Sequence, residues 1–188
     1  MLDLASIDKT WTLFLDRDGV INEEKYMDYV YNFDEFTFMP GVKDAIKILS
    51  EIFPRIILIT NQRGVGRGLM TEETLINIQT RMIEELKQAG GRIDRIYYCT
   101  ATNNDHPNRK PNPGMALQAK KDLPEIDLSK SIMVGNNLSD MEFGRNAGIY
   151  TIHLRTTHPE IISPHPLIDL SCTNLLEFAN LCLSAAPD

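Results

Sequence analysis

The feature that most constrains this chain is an alternation between two hydrophobic periods. Short dense apolar runs occur at Trp11–Leu15, Ile56–Ile59, Ile96–Cys99, Ile132–Val134 and Tyr150–Leu154. They have strand length and are rich in Ile, Val, Leu and aromatics, as strands buried on both faces require. Helical patterns lie between them. Pro40-Gly41 opens Val42–Ile52, where Val42, Ile46, Leu49 and Ile52 fall at helical spacing. Thr71 is a fitting N-cap for Glu72–Ala89, with two glutamates in its first turn. Asn112-Pro113 starts a helix running to Lys121, and Ser139 with Glu142 reads as a capping box for a short helix toward Ala147. A last amphipathic helix spans roughly 174–184. Strands alternating with helices imply an α/β fold: a mainly parallel sheet with helices on both faces. No repeat or linker-like shift divides the chain, so one domain over residues 1–188 is expected. Its 43% apolar content is enough for a core of that size.

In such sheets ligands bind beyond the carboxyl ends of the strands. The unusual polar residues of this sequence follow the strand-like runs: Asp16-Arg17-Asp18-Gly19, Thr60-Asn61-Gln62-Arg63-Gly64, Arg109-Lys110-Pro111 and Gly135-Asn136-Asn137-Leu138-Ser139-Asp140. Asp16 and Asp18 would point to the same side of an extended chain and repel each other. A hard divalent ion such as Mg²⁺ between them would relieve that repulsion and accept phosphate oxygens. One carboxylate is then placed to attack phosphorus and the other to protonate a leaving oxygen. Asp-x-Asp-Gly is also ordinary turn chemistry, and it gains meaning from the three clusters that meet it. Thr60 and Asn61 offer a hydroxyl and an amide to phosphate oxygens. Lys110 stands before a helix N-terminus, where lysine and dipole act on the same anion. Arg63, Arg67 and Arg109 form a local positive patch.

These residues resemble a known family. Asp16-Arg17-Asp18-Gly19-Val20-Ile21-Asn22, Thr60-Asn61-Gln62-Arg63-Gly64, Arg67-Gly68 and Arg109-Lys110-Pro111-Asn112-Pro113-Gly114-Met115 look like the motifs of haloacid dehalogenase superfamily phosphatases. They are most similar to the group acting on D,D-heptose 1,7-bisphosphate and on histidinol phosphate. The resemblance covers about residues 11–155. It implies a Rossmann-like core, Asp16 as nucleophile, Asp18 as general acid and base, Thr60 on the phosphate and Lys110 steadying the phosphorylated aspartate. It also implies Mg²⁺ held by Asp16, the Asp18 carbonyl and an acid of the fourth motif. Asn61, Gln62, Arg63, Arg67, Arg109 and Asn137 are the expected substrate contacts. The stretches from Asn22 to Pro40 and from Asn61 to Thr71 are too short for a large cap domain. Glu23–Tyr29 and Asn103–Arg109 are the loops expected to touch substrate.

The chain departs from the family pattern at two places. The fourth motif of this group usually reads Gly-Asp-Lys, whereas here Asn136 and Asn137 occupy the acid and lysine positions. Asn136 offers a carbonyl oxygen but no charge, so weak metal binding is expected, with Asp140 compensating directly or through water, or serving only as a first-turn helix acid. The second departure is in the loop before Arg109, where heptose bisphosphate phosphatases often carry zinc on Cys and His. Cys99 and His106 alone remain of that set, and no zinc is expected.

The reading is a Mg²⁺-dependent phosphomonoester hydrolase acting on a small phosphorylated sugar through an aspartyl-phosphate. Histidinol-phosphate hydrolysis, and phosphate-ligand binding with impaired catalysis because of Asn136, are the alternatives. Nineteen basic against 26 acidic residues give a net charge of -7, which argues against a nucleic-acid partner. No run is long enough to cross a membrane, and three widely spaced cysteines suit free thiols, so a cytoplasmic protein is expected, and a monomer for want of an apolar surface stripe. His153, His158 and His165 read as solvated loop residues.

Overall fold

A computed structural model describes residues 2–158 and 160–185; the outermost ends of the expected 1–188 domain lie outside the described residues. Among them, β1 (Thr12–Leu15), β2 (Arg55–Asn61), β3 (Arg95–Cys99), β4 (Ser131–Gly135), β5 (Tyr150–Leu154) and β6 (Leu170–Cys172) form one sheet. Its order is β3-β2-β1-β4-β5-β6, and every neighbouring pair is parallel. The sheet is covered by α1 (Val42–Ile52), α3 (Glu72–Gln88), α4 (Gly114–Asp122), α5 (Leu138–Ala147) and α6 (Leu175–Ala185); α2 (Arg63–Gly66) is a single turn after β2. This is the Rossmann-like arrangement. Between β1 and α1 the described chain contains only a 3-10 turn, Phe33–Glu35, so no large cap covers the strand ends.

Side chains alternate across the sheet and divide the core in two. Leu13, Leu15, Ile56, Leu58, Ile132 and Val134 pack with α1, α3 and α6 on one face. Phe14, Ile57, Ile59 and Met133 pack with Met115, Ala116 and Ala119 of α4 and Phe143 of α5 on the other. In α1, Val42, Ala45, Ile46 and Leu49 are buried, the i, i+3, i+4, i+7 stripe of a helix lying on a sheet. Fully burying Val42, Ile46 or Leu49 contributes about 1.5–3 kcal/mol each.

Strand order positions the site. The chain runs outward from β1 through β2 to β3, then returns to place β4 on β1's other side. Crossovers therefore diverge between β1 and β4, opening a crevice at their carboxyl ends. The Asp16 amide donates to the Val134 carbonyl at 3.0 Å, stitching the crevice floor.

Two expectations need correction. The α5 capping box is formed by Asn137 and Asp140, not by Ser139 and Glu142: Asn137 Oδ1 accepts from the Ser139 amide at 3.1 Å, and Asp140 Oδ2 from the Asn137 amide at 3.1 Å. His153 is not a solvated loop residue but a fully buried member of β5.

Candidate active site

Four strand-end segments converge on a cavity of about 250 Å³, lined among others by Asp16, Asp18, Thr60, Lys110, Asn136 and Asp140. Lys110 is its electrostatic centre. It is 4% exposed, and its Nζ lies 2.7 Å from Asp16 Oδ1 and 2.6 Å from Asp140 Oδ1, while donating to the Ile59 carbonyl at 3.0 Å. An ammonium has three protons, and this one places all three. Burial alone would lower the Lys110 pKa, but Asp140 and Asp16 outweigh it and raise the value, so the lysine stays charged.

The two aspartates of the first motif are held differently. Burial pushes the Asp16 carboxyl up to about 7, Lys110 opposes the shift, and the charges of Asp140 and Asp18 add to it. Asp18 is only half-buried; desolvation would raise it, but the Arg17 guanidinium beside it overturns that effect and holds it below the usual carboxylate range. Arg17 Nη2 reaches both Asp18 oxygens, at 2.7 and 2.9 Å; Asn22 Nδ2 donates at 2.9 Å and Gln62 Nε2 at 3.1 Å. Neighbouring carboxylates with opposite shifts are a common signature of acid and base work.

The remaining expected residues fall into place unevenly. Thr60 is buried at the end of β2, its Oγ1 accepting from Gln62 Nε2 at 2.9 Å. Asn61, expected on substrate, spends both side-chain atoms on the Lys110 backbone: Nδ2 donates to the Lys110 carbonyl and Oδ1 accepts its amide, each at 3.1 Å. It fixes the lysine backbone and at the same time lines the cavity. Gln62 likewise turns to Asp18 and Thr60. Arg109 lines the cavity, whereas Arg63 and Arg67 stand outside that lining. Arg63 and Arg109 share Asn104 Oδ1, and Arg67 Nη1 donates to the Tyr29 hydroxyl at 3.2 Å. Of the two loops expected on substrate, Glu24, Lys25, Asp28, Tyr29 and Arg109 reach the cavity.

Asp140 was expected either to serve the metal, directly or through water, or to act only as a first-turn helix acid; both of its oxygens engage protein groups. Oδ1 is on Lys110, and Oδ2 accepts from the Asn136 and Asn137 amides at 3.2 and 3.1 Å. Its place is that of a brace between Lys110 and the turn into α5.

Asn136, 1% exposed, has nearly every polar atom assigned. Its amide is on Asp140, its carbonyl accepts from His153 Nε2 at 3.2 Å, and its Nδ2 donates to Glu24 Oε2 at 2.8 Å and Thr157 Oγ1 at 2.5 Å. The Asn136 Oδ1 atom is buried without a partner. Gly19 makes this fit possible. Its φ of +81° suits glycine, and a Cβ there would lie 2.2 Å from Asn136 Nδ2.

Cys99 Sγ lies 3.6 Å from His106 Nδ1, beside the Arg109 loop. Thr157, Arg17 and His153 are site residues whose roles the sequence patterns do not announce, and Glu24 was expected only as part of the Glu23–Tyr29 loop. Among the first three, Arg17 is the one exception with a signal, since it sits inside the Asp-x-Asp pair. His158, expected in solvent, places Nε2 3.2 Å from Asn137 Nδ2, with Nδ1 2.9 Å from Glu160 Oε1.

The chain resembles known proteins over most of its length. The family model described as polynucleotide kinase 3 phosphatase matches residues 7–156. A D-glycero-D-manno-heptose-1,7-bisphosphate 7-phosphatase from Chlorobaculum tepidum is 41% identical over 160 residues, covering 79% of this chain and 80% of its own. The Yersinia pestis D-glycero-beta-D-manno-heptose-1,7-bisphosphate 7-phosphatase is 38% identical over 160 residues, covering 78% and 81%. The crystal structure of D,D-heptose 1,7-bisphosphate phosphatase from B. bronchiseptica, complexed with magnesium and phosphate, superposes with a TM-score of 0.85 at 31% identity, covering 93% of this chain and 99% of that one. Matches of this length, over a fold and crevice of the kind the motifs require, place the chain among the haloacid dehalogenase phosphatases of the polynucleotide kinase 3 phosphatase type, a family of phosphomonoester hydrolases to which it belongs.

Proposed function

We propose that the chain hydrolyses a sugar bisphosphate of the heptose 1,7-bisphosphate kind, through a phosphoryl group carried on Asp16. The observation that carries this reading is the convergence of Asp16, Asp18, Thr60 and Lys110 on one crevice. The heptose bisphosphate phosphatases that resemble the chain over most of its length support the substrate class.

Asp16 Oδ attacks phosphorus and the bond to the leaving oxygen breaks. Asp18 gives that oxygen a proton. Water then attacks phosphorus, Asp18 takes its proton, and the bond to Asp16 breaks to release inorganic phosphate. Lys110 holds the Asp16 carboxylate in line and offsets phosphoryl charge. Thr60 offers its hydroxyl to a phosphoryl oxygen.

The donor set fits a hard divalent cation: a buried carboxylate raised by its surroundings, the Asp18 carbonyl, and the unpartnered Asn136 Oδ1. Magnesium held by Asp16, the Asp18 carbonyl and Asn136 would neutralise phosphoryl charge and favour the anionic form of Asp16. The shifts found without cation and substrate run opposite to the roles, with the nucleophile raised and the acid lowered. A phosphate arriving beside Asp18 favours protonation there, which brings the acid into its working state.

The test is phosphate release from heptose 1,7-bisphosphate, other sugar phosphates, histidinol phosphate and p-nitrophenyl phosphate, with and without Mg²⁺. Release that prefers the heptose bisphosphate and requires Mg²⁺ is expected; a preference for histidinol phosphate would overturn the substrate reading. We also propose that the protein carries no structural zinc, because Cys99 and His106 supply too few ligands for a closed tetrahedral site. One zinc per chain by elemental analysis would refute this.

A further inference from the structure

We propose that Glu24 replaces the carboxylate which Asn136 lacks: it orients the Asn136 amide toward the cation and supplies the missing negative charge from outside the coordination shell. This rests on the magnesium-dependent reading above.

Asparagine offers a cation only its carbonyl oxygen, and an unrestrained amide presents nitrogen as readily as oxygen. Here the orientation is decided. Glu24 Oε2 and Thr157 Oγ1 lie 2.8 and 2.5 Å from the nitrogen. A carboxylate accepts and never donates, so the atom facing Glu24 must be the NH₂ group. The opposite edge, Oδ1, is then the one left buried and unpartnered, on a residue that lines the cavity. Every other polar atom of Asn136 is already committed, to Asp140, His153, Glu24 and Thr157. An orphaned buried acceptor costs free energy unless something positive meets it.

Charge follows the same geometry. Glu24 lines the cavity, and its carboxylate lies one hydrogen bond from the residue where the family pattern carries an acid. Its side chain is exposed, so solvent screens the charge on one side but not along the path through buried Asn136. Glu24 is therefore a positioning residue that acts through Asn136.

The experiment measures Mn²⁺ binding to the full chain by calorimetry, independently of turnover. Glu24→Gln keeps an acceptor for the Asn136 amide and removes the charge; Glu24→Ala removes both. Perturbing a partner of a metal ligand typically costs about 10–100-fold in affinity, so E24Q is expected to bind Mn²⁺ about 10-fold more weakly and E24A more weakly still. In an N136D background the carboxylate is restored on the ligand itself, and E24Q should then cost no more than about 3-fold, well short of that range. Wild-type affinity in E24Q overturns the proposal, and so does an equal loss in both backgrounds, which would mark a general field effect. Circular dichroism on each variant confirms folding. If the wild-type protein releases phosphate and binds Mn²⁺ while E24Q binds equally well, this inference fails alone. If the wild type does neither, the functional reading fails with it.

Discussion

Asp16 occupies a site that costs the folded protein stability in the absence of cation. Its carboxyl is raised to about 7 because burial, Asp140 and Asp18 together exceed what Lys110 returns. The folded chain thus holds this proton more tightly than the unfolded chain does. The stability it contributes is fully present below the ordinary carboxylate range and is lost as pH rises toward 7. Asp16→Asn removes the buried charge and should flatten that slope, stabilising the cation-free protein near pH 7 by on the order of 1 kcal/mol. It should also abolish turnover, because an amide forms no acyl-phosphate. Thermal unfolding across pH 4–8 with chelator, paired with phosphate release, measures both; a D16N protein less stable than its parent at pH 7 would contradict the assignment. Asp140 works in the other sense. Both of its oxygens are used, on Lys110 and on the two asparagine amides. Asp140→Asn leaves Lys110 short of an anionic partner and sets an NH₂ against a donor, which should cost about 2 kcal/mol or more. Urea unfolding at neutral pH checks it. An undiminished midpoint would mean that Asp140 braces nothing.

At the scale of elements, α5 must sit close to the sheet for Asn136, Asn137 and Asp140 to reach the crevice, and Gly144 sets that closeness. A Cβ at Gly144 would lie 2.4 Å from Thr151 Cγ2 on β5. Two effects compete in Gly144→Ala. Helix propensity favours alanine by about 1 kcal/mol, while overpacking a tight contact costs about 1–3 kcal/mol. The contact should win, lowering the unfolding free energy, and Thr151→Ser, which deletes that methyl, should restore part of the loss in the double variant. Denaturant unfolding of the cycle decides it, and a more stable G144A would show that α5 has room to move. The same scale explains what the sequence makes legible. The four inner strands, buried against both cores, could be read because parallel strands concentrate β-branched and aliphatic residues, and the edge strand β3 through its Ile-Tyr-Tyr-Cys run. β6, Leu170–Cys172, is three residues at a sheet edge and has too little pattern to detect. The polar clusters after the first four strands were legible as one site because parallel topology brings their ends together. Glu24 and Asn136 are 112 residues apart, and their contact arises only from tertiary packing. The capping box was displaced for a related reason: Asp140 is fixed by Lys110, and the helix start follows it.

Across the whole molecule the charge is -7, yet beside the crevice three arginines gather on the Arg109 side. Arg63 and Arg109 converge on Asn104, Arg67 reaches Tyr29, and Lys25 lines the cavity opposite. Burial first, and then the charges of Arg63 and Arg67, lower the Arg109 pKa. An acidic protein with one confined arginine cluster beside the crevice suits a compact ligand bearing a second phosphate near the scissile one. A nucleic acid would lay its further phosphates across acidic surface, where nothing offsets them. The family description names a polynucleotide 3 phosphatase, so the comparison has consequence. A charge-assisted contact contributes about 1.5–3 kcal/mol, or roughly 10–100-fold in specificity. The enzyme should therefore show kcat/KM at least about 10-fold higher for heptose 1,7-bisphosphate than for the corresponding 7-monophosphate. Arg109→Ala should erase most of that preference through KM while leaving the monophosphate nearly unaffected. A 3′-phosphorylated oligonucleotide should be turned over more slowly than either. If it is hydrolysed as efficiently as the bisphosphate, or if R109A slows both sugar substrates equally, then Arg109 does not read a second phosphate and the mouth serves a polymeric end.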